Sequence, residues 1–161
     1  AALTGHLVLS TLHTNDAPST ITRLLNMGLE PFLVASSVLL ILSQRLVRKI
    51  CENCKEQIEV PLQALTSLGI PEEEAGEVRV YKGKGCGACN NIGYKGRIGI
   101  FEVMRLIRDI REGILKGDAT SEIRRMALDS GMVPLRQAAL EKLKGGFTTV
   151  EEVVRSTAVV K

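Results

Sequence analysis

Cys51-Glu-Asn-Cys54 and Cys86-Gly-Ala-Cys89 contain all four cysteines of the chain and decide how it is read. Two residues between cysteines let a tight turn aim both sulfurs at one point. Two such turns facing each other make a tetrahedral thiolate cage, which suits zinc at roughly 2.3 Å per sulfur. Gly87 sits where the second turn tolerates unusual backbone angles, and Lys55 where a side chain leaves toward solvent. Residues 55–85 connect the pairs and are numerous enough to fold as a small sub-domain.

Disulfide and redox chemistry compete with this reading. A disulfide framework belongs to small secreted chains that lack a core. This chain is 45% hydrophobic, and its first residues lack the basic and then apolar stretches of a signal peptide. A thioredoxin-like site needs one C-x-x-C beside a βαβ unit, not two matched pairs. The expectation is therefore a structural metal, zinc first and iron second. Four sulfur ligands leave no open position, so the metal should staple the fold without catalysing. Its removal should unfold the local sub-domain, because binding energy at such a site is folding energy.

Working outward, 161 residues suffice for one ordinary domain and its core. The net charge of +3 is mild and its contributors are interspersed, so no broad field for nucleic acid is expected. The longest apolar run, residues 32–42, falls well short of the roughly twenty residues of a membrane-spanning helix. It reads as a buried helix, opened by Pro31 and running to about Ile50. Tryptophan is absent, which argues weakly against a base-stacking surface. Cysteines arranged for a metal point to a reducing cytoplasm.

Leu7-Val-Leu-Ser-Thr-Leu12 has the length and character of a buried strand. Asn15 or Asp16 can cap the following helix, with Pro18 in its first turn and Gly28 ending it. Leu62, Leu65 and Leu68 predict a short helix stopped by Gly69, and Val78-Arg-Val-Tyr81 predicts a strand. Arg97-Ile-Gly-Ile-Phe-Glu-Val-Met104 predicts another. The last third reads as helical: a helix carrying Ile123, Met126 and Ala127 and ending at Gly131, one opened by Pro134 with Gly145 as its C′ residue, and one begun by a Thr148-Thr-Val-Glu151 capping box.

In open α/β sheets ligands bind beyond the carboxyl ends of strands. His13, Thr14, Asn15 and Asp16 should gather at such an edge, with His6 at the other end of the same short strand. By spacing alone, two histidines beside a strand are more often structural than functional. Arg45 and Arg48 read as cations at a helix C-terminus, favoured by the dipole, with contact to nucleotide or a neighbouring subunit as the alternative. Arg97 and Glu102 could pair across their strand.

The stretch Thr4-Gly-His-Leu-Val-Leu-Ser-Thr-Leu-His-Thr-Asn-Asp-Ala17 resembles the histidine box of the secretion ATPases, the hexameric motors of type II secretion and type IV pilus assembly. The resemblance continues through Ile21-Thr-Arg-Leu-Leu-Asn-Met-Gly28, Gln44-Arg-Leu-Val-Arg48, both cysteine pairs and Gly96-Arg-Ile-Gly-Ile-Phe-Glu102. It extends to Gly131-Met-Val-Pro-Leu135 and Gly146-Phe-Thr-Thr-Val-Glu-Glu-Val153, and so covers nearly the whole chain. The cysteine pairs look like the assembly and secretion branch, since retraction motors of the superfamily generally lack them.

The resemblance implies an α/β fold: part of a RecA-like (P-loop NTPase) sheet with a four-cysteine zinc insert and a C-terminal helical bundle. Residues 1–50 would belong to the ATPase core, 51–95 to the zinc sub-domain, and 96–161 to a returning strand and helical region. It further implies that His6 and His13 are the box histidines, which sense the γ-phosphate, and that the full protein uses ATP and Mg²⁺. Cys51, Cys54, Cys86 and Cys89 would hold the zinc. Sister subunits of a homo-hexamer and an inner-membrane platform protein would be its partners. Its place would be cytoplasmic, peripheral to the inner membrane, without direct nucleic-acid contact.

One departure is large. The family's phosphate cradle is a G-x-x-x-x-G-K-[ST] loop, and this chain has none. Lys84 and Lys95 lie near glycines but have neither that spacing nor the following hydroxyl. Ala1-Ala-Leu3 looks like the tail of an earlier helix. The chain reads as the C-terminal piece of a longer protein, expected not to hydrolyse ATP alone.

Two other readings remain at this level. A zinc-ribbon nucleic-acid module would need clustered cations. Residues 55–85 instead hold four basic residues against six glutamates. A structural metal protein without a nucleotide role differs from the motor reading only by the histidine box.

Overall fold

Asp16 opens the first long helix: its Oδ1 accepts the Ser19 N–H at 2.8 Å, and Pro18 lies in the first turn, where a missing N–H is harmless. This is the start the sequence predicts. The computed structural model describes residues 1–158, and in it α1 spans Ala17–Asn26 before Gly28 reverses the chain at a φ of 86°.

The next element departs from expectation. α2 ends after Pro31–Ser37, and Leu40–Ile50 forms strand β1 rather than a continued helix. A short apolar run fits a buried helix or a strand equally well by periodicity, and tertiary contacts decide here. The Arg111 guanidinium donates to Ala35 O and Val38 O, and so satisfies the carbonyls that end α2. Arg45 and Arg48 consequently lie on a strand, not at a helix terminus.

The chain continues with β2 (Lys55–Ile58), α3 (Leu62–Ser67), α4 (Glu72–Ala75), β3 (Val80–Gly83) and β4 (Tyr94–Arg105). Four helices close it: α5 (Arg108–Lys116), α6 (Thr120–Asp129), α7 (Leu135–Lys144) and α8 (Val150–Thr157). The described strands make two small sheets, β1 with β4 and β2 with β3, in a mixed α/β chain. The helix over Leu62 and Leu65, the strand through residues 97–104 and the α6 and α7 helices follow the sequence pattern.

Three local expectations are corrected. Residues 7–12 lie outside any helix or strand, and Leu7 and Leu9 are 82% and 89% exposed. A strand needs a neighbouring edge to satisfy its backbone, and no described strand pairs with this segment. After α7 it is Gly146, at φ 69°, that takes the left-handed conformation, not Gly145. The cap of α8 is Thr149, one residue later than expected, with its Oγ1 facing the Glu152 N–H at 3.4 Å.

The chain divides into two compact units, Ala1–Ser43 with Phe101–Pro134, and Gln44–Ile100 with Leu135–Lys161. The first has its own core, in which Ile21, Val34, Met104, Ile110, Ile114 and Ile123 are fully or almost fully buried. The second is built around Val47, Leu65, Ile70, Val80, Ile100 and Leu143. Two of the changeovers fall inside strands β1 and β4.

Candidate functional site

The β2–β3 register places the cysteines. Lys55 stands opposite Gly83 in an antiparallel pair, so Cys54 and Lys84 come together, and the Lys84 N–H donates to Cys54 O at 2.9 Å. Each C-x-x-C makes one tight 3-10 turn, Glu52–Cys54 and Gly87–Cys89. The left-handed conformations that the second turn needs fall on Asn90 and Asn91, not on Gly87. The chain leaving this turn passes so close to β3 that a Cβ on Gly83 would strike the Gly93 carbonyl, and one on Gly93 would strike Gly83.

The four sulfurs all lie within 4.8 Å of one another. Cys51 Sγ is 3.9 Å from Cys86 Sγ, Cys54 Sγ is 3.9 Å from Cys89 Sγ, and Cys86 Sγ is 3.8 Å from Cys89 Sγ. Four thiolates arranged tetrahedrally at about 2.3 Å from one ion sit about 3.8 Å apart. The four residues therefore fit such an ion, and all four are free cysteines.

Backbone N–H groups are aimed at the same cluster. Gly85 N lies 3.3 Å from Cys54 Sγ, while Cys86 N and Gly93 N each lie 3.3 Å from Cys89 Sγ. Burial raises the Cys89 thiol, but the N–H groups of Cys86 and Gly93 outweigh it and hold the group at about 6. Burial pushes Cys54 up to about 12, with the neighbouring sulfurs adding to it against the Gly85 N–H. Packed thiolates repel one another, and a cation among them removes that repulsion.

The strand that leads into the first cysteine pair carries a network that sequence reasoning missed. Glu152, on α8, is fully buried and faces two guanidiniums. Arg48 reaches it through its backbone N at 2.8 Å and its Nε at 2.9 Å, and Arg155 through Nε at 2.9 Å and Nη2 at 2.8 Å. Burial alone would raise this carboxyl, but Arg155 and Arg48 prevail and hold it at about 2. Arg48 also stacks 4.1 Å above the Tyr94 ring, whose hydroxyl lies 2.8 Å from Thr149 Oγ1. The one local signal for this arrangement was the Thr-x-x-Glu spacing of Thr149 and Glu152.

The two histidines are placed differently. His6 is exposed, with Nδ1 3.1 Å from Thr4 Oγ1. His13 is exposed three residues before the Asp16 cap. No hydrogen bond among the described residues joins the two imidazoles. Asp16 itself is anchored: Arg124 Nη2 donates to its Oδ2 at 2.7 Å. Burial raises the Asp16 carboxyl, but its bonds to Ser19 and Arg124 outweigh that and lower it. Glu102 does not pair with Arg97; it is buried, and its Oε1 accepts the Ala17 N–H at 2.7 Å.

No helix among the described residues is long and apolar enough to cross a membrane. Comparison with known proteins identifies relatives along nearly the whole chain. The type IV pilus assembly ATPase PilB of Myxococcus xanthus is 51% identical over 98% of this chain and 28% of its own length. The protein of the same name from Thermus thermophilus is 47% identical over 98% of this chain and 18% of its own. The type II secretion system protein E of Pseudomonas aeruginosa is 45% identical over 98% and 31%. The chain thus spans less than a third of the length of these relatives. A family model described as type II/IV secretion system protein matches residues 1–155, and the chain belongs to that family.

Proposed function

We propose that this chain is the C-terminal part of a hexameric motor ATPase that powers type IV pilus assembly or type II secretion. The observation that carries this is identity of 51% to a pilus assembly ATPase over 98% of the chain, with the four cysteines gathered at metal-binding separations. Residues 1–50 form the end of a RecA-like core in this reading, 51–95 the metal-stapled sub-domain, and 96–161 the returning strand and helical bundle. ATP and Mg²⁺ bind in the longer protein, where His6 and His13 sense the nucleotide. Imidazoles suit that task because they can donate hydrogen bonds to phosphate oxygens. The protein acts in the cytoplasm, against an inner-membrane platform protein, and touches no nucleic acid directly.

Cys51, Cys54, Cys86 and Cys89 hold a structural zinc. A closed set of four sulfurs supplies folding energy and leaves no position for substrate. The chain lacks the phosphate-binding loop, so it does not turn over ATP by itself. The test compares the longer protein with residues 1–161 alone. The longer protein should assemble as a hexamer and hydrolyse ATP, and the isolated chain should do neither. ATP turnover by the isolated chain, or none by the hexamer, would overturn the proposal.

A further inference from the structure

The first unit contains a buried carboxylate apart from the cysteine cluster and the histidines. Glu102 lies on β4, 2% exposed, and its Oε1 takes the N–H of Ala17, the first residue of α1, at 2.7 Å. A buried charge is costly unless it is paired or hydrogen-bonded. The first N–H groups of a helix lack intrahelical partners, and their dipole favours an anion. Glu102 therefore fixes the start of α1 at the position directly after its cap.

The same turn is held from a second side. Asp16 caps α1 through Ser19 and accepts Arg124 Nη2, from α6, at 2.7 Å. Thr14 Oγ1 lies 2.8 Å from Thr20 Oγ1 inside the helix, and Thr22 Oγ1 lies 2.6 Å from Thr120 Oγ1 at the start of α6. His13, Thr14, Asn15 and Asp16 thus lead into a helix start gripped by β4 and α6, while the His13 ring stays exposed. The helix start is held from two sides, and the residue ahead of it is exposed.

We propose that Glu102 is a positioning residue for the histidine segment: by fixing the N-terminus of α1 it sets where His13 is presented, with Asp16–Arg124 as a second hold. This rests on the reading of His13 as a nucleotide sensor. Misplacing a reacting group by about 1 Å can cost on the order of 100-fold in rate. A loosened helix start then lowers turnover even though Glu102 touches no substrate.

The test is a double-mutant cycle in the longer ATPase, reading kcat at saturating ATP. Glu102→Gln keeps an acceptor oxygen and the side-chain volume but removes the charge, and should lower kcat about tenfold. His13→Ala should lower it at least as far. The double variant should match His13→Ala alone, because Glu102 acts only through that segment. Multiplying effects would assign Glu102 to general stability and overturn the proposal, as would a Glu102→Gln enzyme at the wild-type rate. Wild-type turnover in His13→Ala would instead sink the histidine-sensor reading, and this role with it. If Glu102→Gln fails to assemble, Arg124→Ala replaces it in the same cycle, under the same criterion.

Discussion

Replacing Glu152 by Gln tests the ion-pair network that joins α8 to strand β1. Gln keeps the shape and one acceptor oxygen, so packing is preserved and charge is lost. A carboxyl held at about 2 rather than 4.5 favours its charged form by about 3 kcal/mol, at roughly 1.4 kcal/mol per tenfold. Breaking a buried pair typically costs about 3–5 kcal/mol because the orphaned partner stays buried. Here the partners are half-exposed, Arg48 at 46% and Arg155 at 60%, so each can regain water. The lower end, about 3 kcal/mol, is therefore expected. The chain has no tryptophan, and both tyrosines, Tyr81 and Tyr94, lie in the second unit. Tyrosine fluorescence in a urea titration therefore reports on that unit alone. Because the folded carboxyl lies below its unfolded value, its stabilisation is complete above about pH 4.5 and is lost as pH falls through about 2. The gap between wild type and Glu152→Gln should be constant from pH 7 to 5, narrow below 4.5 and nearly close by 2. Equal urea midpoints at pH 7, or a gap that persists at pH 2, would refute the reasoning.

Three further outcomes are expected. Anaerobically purified, reduced protein should carry one zinc per chain by elemental analysis, and the Cys51→Ser, Cys54→Ser double variant should carry none and lose the backbone NMR dispersion of residues 51–95; retained dispersion without metal would contradict a stapling role. Gly93→Ala should destabilise the second unit by about 2–4 kcal/mol and speed zinc loss to a chelator, because the new Cβ meets the Gly83 backbone at a left-handed position; a wild-type urea midpoint would count against that close approach. Thr149→Ala should cost about 1–2 kcal/mol in the same titration, by removing the α8 cap and the partner of the Tyr94 hydroxyl; a change within error would mean that water replaces both.

What could be read in advance was local. A C-x-x-C turn fixes its own sulfur geometry within four residues, so the cluster was legible before any fold was known. Asp16 and Pro18 announced α1 because a cap and its first turn are neighbours in sequence. The Leu40–Ile50 strand was not legible. Its apolar residues suit either period, and the deciding contacts come from Arg111, 76 and 73 residues from its acceptors Ala35 and Val38. The 7–12 segment failed in the opposite way. Its composition is that of a strand, but a strand is defined by its partner, and composition cannot supply one.

The same contrast explains why the cysteines alone do not account for their setting. Arg48 stands three residues before Cys51, and its guanidinium meets a carboxylate 104 residues away. The backbone between them is stitched on two sides: Cys51 N donates to Gly93 O at 3.0 Å, and Ile50 N donates to Phe147 O at 2.9 Å. Thr148 Oγ1 adds a bond to Arg48 O at 2.8 Å. The first contact ties the entry of one cysteine pair to the exit of the other. The remaining two tie that entry to the segment leading into α8. A cation bound by the four sulfurs would order residues 51–93, and the Glu152 ion pair with Arg48 holds the strand that leads into them. Each would lower the conformational entropy that the other must overcome. A metal bound by the four cysteines would then make the cluster and α8 one cooperative unit, joined by the Ile50–Phe147 and Arg48–Thr148 bonds and by a carboxylate remote in sequence.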